Sequence, residues 1–236
     1  MENGLFSTDE FTAWSQKYVM FLHVTTRLEG RKHDGLLKEK RFTGFPTMCA
    51  MDVSGKVTAK HAGRRDLEPF AETLAKGRVY EALAKQAAAG DKTAQLDLFV
   101  KDLELRSYSY AHGMLRYAAM RTDMPKRLRE SAQQHLVDLQ YAELSRSVRA
   151  TLATDREGYL KRWNALRLDF FRSGSLPSGY QGSSILRTVM NHARTEENVK
   201  LFAAALTKFK ECFGSEERNG SRIEMLEKQL EEMRAK

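Results

Sequence analysis

The chain has 236 residues but only two cysteines, Cys49 and Cys212, far apart in the sequence. That spacing excludes a disulfide-stapled scaffold and reads as two separate reduced thiols, with a single long-range bridge as the lesser alternative. No apolar run approaches the length of a membrane-spanning helix, so no membrane span is indicated. No basic start followed by an apolar core marks a signal peptide. No glycine-rich loop of the kind that cradles phosphates is present. The six histidines, at 23, 33, 61, 112, 135 and 192, show no zinc-ligand spacing with the cysteines. His23, His33 and His61 are the only set that a small N-terminal domain would gather, and a packed His23 is the simpler reading. No Ser-His-Asp arrangement is visible locally. No catalytic residue, metal or cofactor is therefore expected, and no reaction can be named from the residues.

What is present is ordinary for a globular chain: 42% hydrophobic and 30% charged residues. The formal charge is +8. Cut at residue 90, the chain holds 14 basic and 11 acidic residues before it and 25 and 20 after it. On that division the excess is spread out, whereas nucleic-acid modules concentrate it on one face. The densest basic cluster, Lys126-Arg127-Leu128-Arg129, reads as a solvated helix start.

Along the chain, Ser7 and Glu10 form a capping box for a helix over 6–17, with Phe6 and Phe11 as a hydrophobic staple. Tyr18 to Val24 is an apolar run that reads as a strand covered on both faces. A polar surface loop, 25–31, leads to a short helix over 32–40 that turns Leu36 and Leu37 inward. Gly44-Phe45-Pro46-Thr47 is a tight turn. It opens a β-hairpin of 47–52 with 56–61 across Ser54-Gly55. Met48, Ala50 and Val57 are its candidate core positions, and Cys49 points the other way. Asp66 caps the next helix, with Pro69 in its first turn and Phe70 and Leu74 on its inner side. The change of domain is placed between Lys76 and Gly90.

Beyond Asp91 helix follows helix. One stripe runs Val137, Tyr141, Leu144 and Val148, the next Tyr159, Trp163, Leu166 and Phe170. A Ser/Gly/Pro-rich loop over 173–179 separates these from Ile185, Leu186, Val189 and Met190. Thr195 caps a helix bearing Phe202, Leu206 and Phe209. The last helix carries Ile223, Leu226, Leu230 and Met233 among charges, to dock on the bundle or to pair with a second copy. No fixed repeat period is found.

The order helix, strand, helix, Pro46 turn, hairpin, Gly63, helix is similar to the second half of a thioredoxin-like domain, over roughly residues 5–77. The resemblance implies a cis Phe45–Pro46 bond and a cis-proline loop of Gly44, Phe45, Pro46 and Thr47, with Cys49 as the one nearby thiol. It also implies a departure, because the Cys-x-x-Cys such enzymes need at a helix N-terminus is absent. So are the first strand, first helix and central strand. That leaves a gap beside 18–24, which direct pairing with the hairpin would close. A strand or helix from 91–236 or a partner's strand would close it too.

The expected fold class is therefore a partial thioredoxin-like α/β domain over 1–80 and an all-α domain over 81–236, mostly helical in sum. The favoured function is a redox-inactive protein-interaction or assembly module, binding another protein or a second copy. The alternatives are a thiol-disulfide oxidoreductase whose Cys-x-x-Cys half lies upstream, and a basic nucleic-acid adaptor. The expected location is cytoplasmic if Met1 is the native start, and periplasmic or secreted if an upstream segment was removed.

Overall fold

The computed structural model describes residues 5–21, 35–42, 47–64 and 66–235. These residues hold ten α-helices, two short 3₁₀ helices and one two-stranded antiparallel sheet. The chain divides into two compact units: Met1–Tyr108 with Thr122–Met124, and Ser109–Arg121 with Pro125–Lys236. The sequence expectation ended the first domain at residue 80. In the structure a single helix, Leu67–Ala88, runs unbroken through that point.

In unit 1, α1 spans Asp9–Ser15. Its cap is Thr8, not Ser7: the Thr8 hydroxyl accepts from the Phe11 N–H at 3.1 Å, while Ser7 belongs to a preceding 3₁₀ turn. Phe6 still meets Phe11, edge to face at 5.0 Å. The expected strand over 18–24 does not form at its described residues 18–21, where Val19, Met20 and Phe21 are largely exposed. A strand needs a neighbour for its N–H and C=O groups, and among the described residues no strand pairs with it: the sheet is the hairpin alone. Residues 22–24, His23, the loop over 25–31 and His33 lie outside the described residues. So do Gly44, Phe45 and Pro46. Of the helix expected over 32–40, α2 (Leu36–Glu39) is described.

The hairpin pairs β1 (Cys49–Met51) with β2 (Val57–Lys60) in the register Cys49 with Lys60 and Ala50 with Ala59. Its turn is closed by Asp52. That carboxylate accepts from the backbone N–H of Ser54 at 2.9 Å and of Lys56 at 3.0 Å, and Gly55 supplies the left-handed residue at φ +77°. The covering helix, α3 (Leu67–Ala88), crosses the hairpin at Gly77. A Cβ built there would lie 2.9 Å from Thr58 Oγ1 and 3.2 Å from the Ala50 Cβ, so only glycine lets helix and hairpin approach this closely. Asp66 stands at the cap position of α3 but makes no capping hydrogen bond; its carboxylate pairs with Arg64 at 2.8 Å. After Gly90, α4 (Lys92–Glu104) returns along α3, capped by Asp91, and buries Phe99 and Leu103.

Unit 2 strings together α5 (Tyr110–Met120), α6 (Lys126–Ala150), α7 (Arg156–Arg172), α8 (Gly179–Thr195), α9 (Val199–Phe213) and α10 (Gly220–Arg234). Its core is built on α8, whose Ile185, Leu186, Val189, Met190 and Ala193 are sealed from water against Phe202, Ala205, Leu206 and Phe209 of α9. Tyr141 of α6 meets Phe170 of α7 edge to face at 5.1 Å. Leu144, expected inside, is exposed. The cap of α9 is Asn198, which accepts from the Leu201 N–H at 2.9 Å, and Thr195 is the last residue of α8. The turn between these helices is tight because Glu197 takes a left-handed φ of +51° and the Asn198 N–H reaches back to the Ala193 carbonyl at 2.7 Å. Ile223, Leu226, Leu230 and Met233 lay α10 on this core, so docking is the role of its apolar stripe.

The close approach at Gly77 makes a prediction. Gly77→Val should destabilise unit 1 by about 1–3 kcal/mol through overpacking. The two tryptophans, Trp14 and Trp163, sit in different units. Denaturation of Gly77→Val in a Trp163→Phe background, followed by Trp14 fluorescence, should therefore show a lower midpoint, with helical signal from unit 2 unchanged.

Candidate functional site

The residues singled out from the sequence lie in unit 1. Thr47 is exposed just before β1. Cys49 is partly buried in β1 opposite Lys60. Burial pushes its thiol above the ordinary range, and the nearby Lys60 and Lys40 charges only partly pull it back. A reactive cysteine needs the reverse, an exposed thiol held as thiolate. Both cysteines are free thiols, and Cys212 is exposed.

Around Cys49 the hairpin carries two lysines with opposite surroundings. Lys60 is half-buried, with its ammonium over the Phe42 ring at 5.5 Å. Burial first, and the Arg106 charge second, push its pKa down to about 8, against a weaker pull upward from Glu104. Lys56 instead pairs with Asp102 at 3.0 Å. Asp102 is only 4% exposed, and its carboxylate also accepts from the Tyr80 hydroxyl at 2.6 Å and the Tyr108 hydroxyl at 2.7 Å. Burial and this carboxylate drive the Tyr80 phenol well above the ordinary tyrosine range. A buried carboxylate with three donors is a satisfied structural centre that ties the hairpin, α3 and α4 together.

His61 is likewise occupied. Its ring nitrogens lie 3.0 Å from Thr73 Oγ1 and 3.0 Å from the Arg64 carbonyl, and the ring stacks on Phe70 at 4.4 Å. Among the described residues no group of histidine, cysteine and carboxylate side chains is placed to hold a metal ion. No described helix is long and apolar enough to cross a membrane.

The unabsorbed chemistry is in unit 2. Dividing the charge by helices rather than at residue 90 changes its distribution. Residues 109–195, which hold α5 to α8, carry 14 basic and seven acidic residues, a net of +7, and 12 of the 14 are arginine. Residues 1–108 carry 17 and 15, and residues 196–236 carry eight and nine. The excess is thus concentrated, which corrects the even spread expected from the coarser cut.

Three of these arginines sit on aromatic rings. The Arg167 guanidinium lies 4.6 Å from the Trp163 ring centroid, Arg149 lies 5.3 Å from the same ring, and Arg187 lies 5.4 Å from the Tyr180 ring. Arg167 is also fixed between helices, donating from α7 to Thr188 Oγ1 at 2.5 Å and to Ser184 Oγ at 3.2 Å on α8. Its Nε–H is buried without an acceptor. None of the three has a carboxylate within ion-pair distance among the described residues. The sequence reading used Trp163 only as a core position. The available signal was the arginine bias of 109–195 at the helical spacing of Tyr159, Trp163 and Arg167.

Comparison with protein-family models, with curated proteins and with solved structures finds no match.

Two predictions follow from unit 1. A disulfide reagent at neutral pH should label Cys212 quickly and Cys49 slowly. In Cys212→Ser the remaining slow rate should go on rising with pH beyond the point where an exposed thiol levels off. The second concerns Lys60. Its folded-state pKa, about 8, lies below its ordinary value of 10.5, so the unfolded chain binds the proton more tightly between those values. Stability of unit 1 should rise as pH climbs through this window. Cys49, raised in the folded state, opposes the trend above about pH 9. Denaturant midpoints reported by Trp14 at pH 7, 8 and 9 should increase, and Lys60→Met should flatten the increase.

Proposed function

We propose that the chain acts by binding rather than by catalysis, and that its partner is a polyanion engaged by unit 2. The observation that carries this reading is the arginine excess of α5 to α8, with Arg149, Arg167 and Arg187 held on aromatic rings and left without carboxylates. Arginine presents flat, weakly hydrated donors that suit phosphate oxygens, and ring stacking keeps such a side chain ordered without neutralising it. A self-contained protein surface usually intersperses both signs of charge. This moves the nucleic-acid adaptor ahead of the protein-interaction reading that the sequence favoured.

For unit 1 we propose a supporting, redox-inactive part. Of the order that resembles the second half of a thioredoxin-like domain, the described residues hold the hairpin, Gly63 and α3, while 18–21 form no strand. A role in thiol-disulfide exchange has no such support, given the raised Cys49 thiol.

The test is the salt dependence of binding. A fluorescein-labelled 20-nucleotide oligomer titrated with the full chain should bind at 50 mM salt. The logarithm of the binding constant should fall linearly with the logarithm of salt concentration, by about 0.7–0.9 per phosphate contacted. Absence of binding at low salt, or binding indifferent to salt, would overturn the polyanion reading.

A further inference from the structure

Resting on that reading of unit 2, we propose that the polyanion is single-stranded nucleic acid, with bases stacking on Tyr180 and phosphates gripped by Arg167 and Arg187 along α7 and α8. The two helices carry matching stripes. Tyr159, Trp163 and Arg167 recur every four residues on α7, and Tyr180, Ser184, Arg187 and Thr188 share one side of α8. The two hydrogen bonds from Arg167 to Ser184 and Thr188 place the stripes side by side. The result is a strip that carries both aromatic rings and guanidinium groups.

Two features of the strip point to a ligand. The first is the Arg167 guanidinium, held on the Trp163 ring and between two hydroxyls with no carboxylate beside it among the described residues, so its charge is ordered but not neutralised. The second is Tyr180, which is 78% exposed at the start of α8 although a guanidinium lies against its ring. A cation over one face of an exposed ring makes a platform for a flat, electron-rich partner. Further along α7, toward the other end of the strip, the Tyr159 and Trp163 rings are stacked at 5.9 Å and 22°.

Free bases distinguish among polyanions. A duplex keeps its bases stacked on one another, and a sulfated polysaccharide has none. Only a single strand offers both a phosphate for the guanidinium groups and an unstacked base for the tyrosine. Proteins that bind single strands without reading sequence combine these two elements: a cationic track and aromatic platforms.

The experiment compares three probes on the full chain at one salt concentration: a labelled mixed-sequence single strand, the same sequence as a duplex, and heparin. The single strand should bind about tenfold or more tightly than the duplex. Tyr180→Ala, at an exposed position that the fold does not need, should weaken single-strand binding roughly tenfold and leave heparin binding unchanged. Tyr180→Phe should restore the lost affinity, because the ring face and not the hydroxyl does the stacking. Arg127→Gln, which removes a charge at the start of α6, should weaken all three probes alike. Equal affinity for single strand and duplex, or a Tyr180→Ala chain that binds the single strand normally, overturns the single-strand inference while leaving the polyanion reading standing. Failure to bind any of the three overturns both.

Discussion

Five side chains of α8, Ile185, Leu186, Val189, Met190 and Ala193, are 0–1% exposed, and most of unit 2 is arranged to keep them so. They recur at i, i+1, i+4, i+5 and i+8, which gathers them on one side of the helix. Each large member contributes roughly 1.5–3 kcal/mol when buried. Ala193 faces a helix that carries Ala205 in its own core stripe, and two alanines let α8 and α9 come close. With one side committed to the core, the opposite side of α8 is left to meet α7 or water. Ser184, Arg187 and Thr188 fall on that side. The core therefore determines where hydroxyls await the Arg167 guanidinium.

The two units handle charge in opposite ways. In unit 1 the buried charge is answered from within: Asp102 takes Lys56 and two phenols, and residues 1–108 are nearly neutral. A poorly answered cation there, Lys60, responds by lowering its proton affinity. Arginine has no such escape, since it stays protonated under all ordinary conditions. An arginine without a carboxylate can lower its energy only by stacking, by donating to neutral oxygens, or by attracting an anion from outside. Arg167 already does the first two, and with no carboxylate beside it among the described residues its charge is left for the third.

Much of the local structure was legible in the residues because its causes are local. The hairpin turn follows from Asp52, Ser54 and Gly55 within four residues of one another, and the helices follow from apolar stripes that any window of the chain displays. Where positions within a few residues offer equally good side chains, the sequence alone does not single out the cap. Thr8 caps α1 in place of Ser7, and Asn198 caps α9 in place of Thr195, because the choice depends on where the chain bends into the helix.

By itself, then, the sequence determined that this protein is mostly helical, that a short hairpin precedes its first long helix, and that its thiols form no scaffold. Only the tertiary structure decided which apolar run would be buried. Tyr18 to Phe21 has a strand's composition, but no described strand is its neighbour, and three of its side chains stand in water. Only the tertiary structure, too, brought Arg149, Trp163, Arg167, Ser184 and Thr188 together from three helices. The physical reason is the same for both. Periodicity and capping are satisfied within a few residues, whereas a ladder partner or a counter-charge comes from anywhere in the chain, and its absence shows only once the chain has folded.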